Sequence, residues 1–204
     1  MGYFDEAILI FQDCNKFFKQ ANVRAYLNSL HSLGLCYNRV GNHGLATSIN
    51  EKGIAEGKRA KNLDMQSYFI HSEGVNQSMV HNYKIAIKKI QFSLPDISRN
   101  KDFANETVGF FYIGKSYWEL GEKEKAVVYF KKVDKSFTDR DYIRPDLRAA
   151  YEFLISYYKE KKMIRKQLYY VERLLKVDKK LHTTFSYLQG KIRKEYDTGE
   201  LIRE

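Results

Sequence analysis

The chain has 204 residues, a formal net charge of +10, 44% hydrophobic residues and only two prolines. That is apolar material for one domain or one short array of repeats, with few breaks to helix. The basic balance suits acidic partners or a lysine-rich solvated surface. The two cysteines have no metal-ligand or Cys-x-x-Cys spacing, and no apolar run approaches a membrane span. Met1–Phe11 lacks the basic start and small-residue cleavage site of a signal peptide.

In chain order, apolar periodicity predicts helices over 3–19, 22–40, 43–61, 63–80, 83–94, 103–120, 123–136, 146–160, 164–177 and 179–195. Within 103–120, Phe110, Ile113, Gly114 and Tyr117 fall at i, i+3, i+4 and i+7. Ala126, Val127, Phe130 and Val133 mark one face of the next helix. Cys14 and Cys36 sit at apolar helix positions and read as buried thiols, with a disulfide between them left open for an oxidising compartment. The least regular connections are Ser93–Asp102 and Ser136–Pro145, and Pro145 suits the first turn of the helix that follows.

A repeat runs through these helices. Ile113-Gly114-Lys115-Ser116-Tyr117, Gly121-Glu122, Ala126 and Phe130 form its clearest unit. Leu33-Gly34, Tyr37, Gly41-Asn42 and Ala46 repeat it upstream, with Asn50 in place of the aromatic. Gly74, His81-Asn82, Ala86 and Ile90 make a weaker copy, and Tyr151, Leu154, Tyr158, Val171 and Leu174 a fourth. Gly2, Ala7 and Phe11 fit the second half of a unit whose first helix is missing. Ala7, Ala46, Ala86, Ala126 and Gln167 are spaced by 39, 40, 40 and 41 residues. Small residues at Gly34, Gly74, Gly114, Ala46, Ala86 and Ala126 let paired helices approach, and neighbouring pairs then bury the faces that one pair alone leaves exposed.

This pattern resembles the tetratricopeptide repeat, with a period longer than its usual length of about 34 residues. The resemblance implies an all-α fold: a right-handed α-solenoid of antiparallel helix pairs with a C-terminal capping helix. The array would span 1–196, with a partial repeat at 1–20 and repeats near 22–61, 63–100, 103–140 and 146–178. The capping helix would cover 179–196, where Leu181, Phe185, Leu188, Ile192 and Tyr196 form one apolar stripe. Asp197-Thr198-Gly199-Glu200 reads as a capping box that starts a further helix over 197–204, cut short. Both ends therefore suggest a piece of a longer protein.

A narrower resemblance lies toward the C-terminus. Tyr158-Lys159-Glu160-Lys161-Lys162, Lys166-Gln167-Leu168-Tyr169-Tyr170-Val171-Glu172, Leu175-Lys176-Val177-Asp178 and Lys194-Glu195-Tyr196-Asp197-Thr198 stand in order. They look like the end of the repeat region in bacterial regulators that join a tetratricopeptide sensor array to a membrane helix and an AraC-type helix-turn-helix domain. The resemblance implies an array on the periplasmic side of the inner membrane; without it the expected compartment is the cytoplasm.

No catalytic motif emerges. The five histidines lack zinc-ligand spacing, and neither a phosphate loop nor a nucleophile elbow occurs. The expected function is a non-enzymatic protein- or peptide-binding scaffold without cofactor or metal, with self-association as a homodimer the alternative. The tetratricopeptide resemblance places ligand-binding residues on a concave groove lined by the first helix of each pair. By position these are Asn28, His31, Asn38 and Arg39, then Tyr68 and His71, then Phe111, Lys115 and Trp118, and finally Lys159. His31 and His71 stand one repeat apart, and Trp118 is the only tryptophan. Basic clamp positions known from carboxylate-gripping members hold Leu35, Val75 and Ser156 here, with only Lys115 basic. Asn38, Ser78, Trp118 and Lys159 show no base-reading code, which leaves a basic nucleic-acid-binding array as the weaker alternative. Direct DNA binding is not expected of this stretch, nor, without a long apolar run, is membrane insertion.

Overall fold

In a computed structural model, residues 4–196 are described, with side chains through Ser186. Helices begin at residues 23, 43, 63, 83, 103 and 123, an interval of twenty that repeats five times. They are α2 (Val23–Arg39), α3 (His43–Arg59), α4 (Leu63–Met79), α5 (Tyr83–Arg99), α6 (Phe103–Glu119) and α7 (Lys123–Arg140). α1 (Phe4–Ala21) precedes them; a 3-10 turn (Pro145–Leu147), α8 (Ala149–Glu160) and α9 (Ile164–Tyr196) follow. Among the described residues there is no strand.

The interval comes from one turn used repeatedly. Each of α2–α6 is followed by a residue in the left-handed region: Gly41, Lys61, His81, Lys101 and Gly121. Its amide, and the amide of the next residue, bond back to the last carbonyls of the helix, as in Gly41 N to Asn38 O at 3.1 Å and Asn42 N to Tyr37 O at 2.9 Å. This closure satisfies carbonyls that the helix end would leave open. The next residue caps the following helix. Asn42, Asn62 and Asp102 accept from the amides of Leu45, Met65 and Asn105 at 3.2, 3.1 and 3.0 Å. Asn82 departs from the scheme and donates instead to Gln77 Oε1 at 2.7 Å.

The chain divides into two compact units, Met1–Lys132 and Val133–Glu204. In the first, Tyr26, Leu27 and Leu30 of α2 pack on Phe69 of α4, while Leu33 and Tyr37 meet Ala46 of α3. Full burial of a side chain such as Phe69 contributes about 1.5–3 kcal/mol. The small residues work as their spacing suggests. A Cβ on Gly74 would lie 2.5 Å from Ile90, and one on Gly114 would lie 2.8 Å from Phe130. Gly53, which the repeat pattern does not single out, is tighter still: Phe69 lies flat against it, 2.2 Å from where a Cβ would be.

In the second unit Asp134 accepts from Tyr151 Oη at 3.0 Å and from Arg173 Nε at 2.7 Å. Arg173 also donates to Thr138 Oγ1 at 2.6 Å and lies over the Phe137 ring. Burial, then the Asp134 charge, pushes the Tyr151 hydroxyl far above its usual range. Arg148 grips Asp178 with two nitrogens, and Tyr158 stacks on Tyr170 with ring planes 5° apart.

The structure departs from the predicted boundaries in three places. α5 does not stop at residue 94 but runs through Pro95 to Arg99. An interior proline forfeits a helix bond, but buried Ile90, Ser93 and Ile97 anchor the helix on both sides of it. α7 likewise continues to Arg140. The capping helix over 179–196 is not separate: α9 is one helix from Ile164 to Tyr196. No glycine or proline lies between Val177 and Lys180 to break it, and Asp178 is engaged by Arg148 rather than capping a new start. Of the apolar stripe on that segment, Leu181 is half-buried and Phe185 is exposed. The side chains of Leu188, Ile192 and Tyr196, the turn at Gly2 and the capping box at Asp197–Glu200 lie outside the described residues. Cys36 is buried, which pushes its thiol up, but Cys14 is only half-buried; both are free thiols.

Lys61 and Lys101 occupy a conformation that costs a side-chain-bearing residue about 1 kcal/mol relative to glycine. Replacing either with glycine is expected to raise stability by about 0.5–1 kcal/mol, read as a higher urea midpoint with unchanged slope.

Candidate functional site

In the first unit the predicted groove is the face shared by α2, α4 and α6. α4 runs between two helix pairs and is buried on most sides, and its buried set is largely polar: Ser67, His71, Ser72, Glu73, Asn76 and Ser78. These groups cannot go unbonded in such a place, and much of the predicted groove is spent in bonding them.

His31 Nε2 meets Ser72 Oγ at 2.8 Å, and its imidazole stands edge-on to Phe69 and Tyr68. Asn38 Nδ2 donates to Asn76 Oδ1 at 2.8 Å. Ser78 and Ser116 share a buried hydrogen bond of 2.9 Å that ties α4 to α6. Burial lowers the His31 pKa to about 4, against the pull of a backbone bond at Tyr68 and the Asp102 charge. Burial and the neighbouring Asp102 carboxylate push the Tyr68 hydroxyl up to about 12.

Two of the predicted groove residues do not line a surface. His71 is 2% exposed and Phe111 5%, so both belong to the core. The ring of Phe111 packs on Tyr112 and Phe130, and His71 sits where α6 comes so near that Gly109 is the residue facing it. The alignment of His31 with His71 is therefore a repeat of sequence without a repeat of exposure. Asn28 and Arg39 are exposed; Asn38, Tyr68, Lys115 and Trp118 are half-buried. Trp118 leans on Phe130 of the helix that follows it, and the Lys123 ammonium lies 4.9 Å from its ring centre. Lys159 is exposed on α8 in the second unit.

The predicted groove does not include the most polar feature of this region. Glu73 is 2% exposed, yet its partners are neutral donors: Thr47 Oγ1 at 3.1 Å, Asn50 Nδ2 at 2.9 Å and Gln77 Nε2 at 2.6 Å. Beside it Asn76 uses both ends of its amide. Oδ1 accepts from Asn38 and from His43 Nδ1, and Nδ2 donates to His43 O and Thr47 Oγ1. His43 therefore carries its proton on Nδ1. The available signal was Asn50, a polar residue where the repeat expects an aromatic. Among the described residues no three His, Cys, Asp or Glu side chains gather as metal ligands. No described helix is long and apolar enough to cross a membrane.

No family model and no curated protein matches the sequence. Solved structures do match. BtubC (BKLC) from P. vanneervenii superposes with a TM-score of 0.72 at 13% identity, covering 89% of this chain and 75% of that one. A kinesin light chain with nearly identical TPR-like repeats from Podosopora anserina gives 0.60 at 13% identity, covering 87% and 88%. The fold is a tetratricopeptide-like helical repeat. MamA, at 22% identity, gives 0.58 and covers 88% of this chain and 91% of its own. At these identities the likeness concerns the fold, and the side chains of this repeat have to speak for themselves.

Two outcomes are expected from this site. Glu73→Ala would leave the buried donors of Asn50, Thr47 and Gln77 without their acceptor and should cost about 3 kcal/mol in chemical denaturation. His31 carries a pH dependence. The unfolded imidazole titrates near 6.5 and the folded one near 4. Between these values the unfolded chain holds more protons, so the stability is fully present above about pH 6.5 and declines as the pH falls toward 4, by on the order of 3 kcal/mol. His31→Gln should remove that part of the slope in denaturation series run across this window.

Proposed function

We propose that this chain is a non-enzymatic scaffold that binds a protein or peptide segment, and that it is the sensor or interaction region of a larger bacterial transcriptional regulator. The observation that carries the binding reading is the mixed row left open on the first helices of the pairs. Asn28, Leu35 and Arg39 are exposed there, and Tyr68, Lys115 and Trp118 are half-exposed on helices braced by buried hydrogen bonds. Such a row offers aromatic anchors and adaptable polar groups on a rigid frame, which is what a bound segment needs. The tetratricopeptide-like fold of the three solved neighbours supports a scaffold role. The regulator context rests on the residues from Tyr158 to Thr198. Its mark would be a membrane helix and a helix-turn-helix domain encoded after Glu204.

Trp118 gives the test its readout, because it is the only tryptophan. A random-peptide phage library selected on the whole chain should yield binders that shift Trp118 emission. Tyr68→Ala and Arg39→Ala should each weaken them by about 1–2 kcal/mol. Binders that leave the emission unchanged and ignore both substitutions would remove the groove from the proposal. A second reading, self-association, draws on exposed Leu9, Ile10 and Phe17 of α1. Light scattering over a concentration series separates it from the first, since only self-association raises the mass.

A further inference from the structure

A second surface of the first unit lies between the second helices of two successive pairs, away from the groove. Ile54 of α3, Ile70 of α4 and Ile85 and Phe92 of α5 line a recess of about 650 Å³. Phe92 is 69% exposed and Ile85 49%, and with Ile54 and Ile70 they form one contiguous apolar strip rather than scattered single residues. Lys84, Lys88 and Lys89 line the same recess.

The five α5 residues follow helical spacing. At 100° per residue, Lys84, Ile85, Lys88, Lys89 and Phe92 fall within an arc of about 140°, with Phe92 near its centre. The recess is thus an apolar strip with an aromatic at its middle and ammonium groups beside it. None of the three lysines has a carboxylate partner among the described residues, although other lysines, such as Lys125 with Glu122 and Lys135 with Asp139, are paired within their own helices. Lys89 is half-buried in that state. Three lysines beside an apolar strip, with no internal counter-charge, complement an anion supplied from outside.

We infer that this recess is a docking site for an acidic amphipathic helix of a partner protein. The partner's apolar stripe would cover Phe92, Ile85 and Ile54, and its carboxylates would meet Lys84, Lys88 and Lys89. Charge argues against a second copy of this chain as the occupant, since two chains of net charge +10 repel one another. The inference does not rest on the groove: α4 contributes to both surfaces, but the side chains that line the recess are not those named for the groove.

The test uses the whole chain and a fluorescein-labelled synthetic peptide with Leu and Phe on one helical face and Glu on the other. Its comparison peptide has the same composition in scrambled order. Anisotropy should show binding of the amphipathic peptide only, weakening steeply with added salt. Phe92→Ala should weaken it by about tenfold or more, and the pair Lys88→Glu with Lys89→Glu by a similar factor. Both changes sit on an exposed helix face, and circular dichroism would verify that each variant folds. Arg39→Ala, on the groove, should leave this binding unchanged. Equal binding of the scrambled peptide, or indifference to both variants, overturns the inference. So does a dimer in light scattering that Phe92→Ala dissolves, which would make a second copy the occupant. Co-sedimentation with phosphatidylserine vesicles, lost in the Lys→Glu variant while the peptide fails to bind, would assign the recess to a membrane surface and equally overturn it.

Discussion

Everything in the first unit depends on the closure of one helix and the capping of the next within three residues. The left-handed residue turns the chain back, its amide and that of its successor seal the outgoing carbonyls, and at three of the turns an Asn or Asp side chain caps the incoming helix. A helix between two such turns has a fixed length, and a fixed length brings the same position of successive pairs to the same height. Only then can Gly53 lie against Phe69, and Gly74 against Ile90, along the whole contact. The turn thus acts as a ruler, and packing reads from it.

With backbone geometry held constant, the pairs differ by what they place at equivalent contacts. Between α6 and α7 the contact is apolar, with Phe130 filling the space that Gly114 leaves open. Between α2 and α3 the equivalent space, opposite Gly34, holds Asn50, which donates across to Glu73 of α4, and hydrogen bonds take over the cohesion. A polar contact of this kind contributes little net stability, but it discriminates strongly, because an apolar substitute at Glu73 leaves donors stranded. The first and second pairs are joined by hydrogen bonds, whereas the third pair is closed on itself by hydrophobic burial.

The fold was legible because the turn leaves marks that a sequence shows. Gly41-Asn42, His81-Asn82 and Gly121-Glu122 announce themselves, and the alanines that follow at Ala46, Ala86 and Ala126 are all fully buried. Lys61 and Lys101 do the same work without looking like turn residues, and there the helix starts at residues 63 and 103 were read from apolar periodicity instead. Helix ends were least legible where a local rule yielded to packing. The helix predicted to end at residue 94 runs on because buried neighbours anchor it on both sides of Pro95, and the predicted break at residue 178 is bridged by one continuous helix. The candidate groove was legible by position and much less by exposure. His71 and Phe111 carry the spacing of groove residues and sit in the core, because α4 and α6 are enclosed more fully than α2. Glu73 is the extreme case: beside a repeat glycine a charged residue reads as surface, and only the donors at Thr47, Asn50 and Gln77 make its burial possible.

That buried carboxylate has a consequence for how such a chain can change over generations. The uniform turn would let forty residues be duplicated or lost with every helix end intact, which is how repeat arrays grow and shrink. Glu73 and Asn50 forbid it locally. Excision of the second pair would bring Ile113, forty residues on from Glu73, against Asn50, and its amide would have no acceptor in the core. The turns make the pairs interchangeable in shape; the network gives each of the first two a fixed address. In this array the first two pairs are therefore a joint that cannot be shortened without stranding a buried donor.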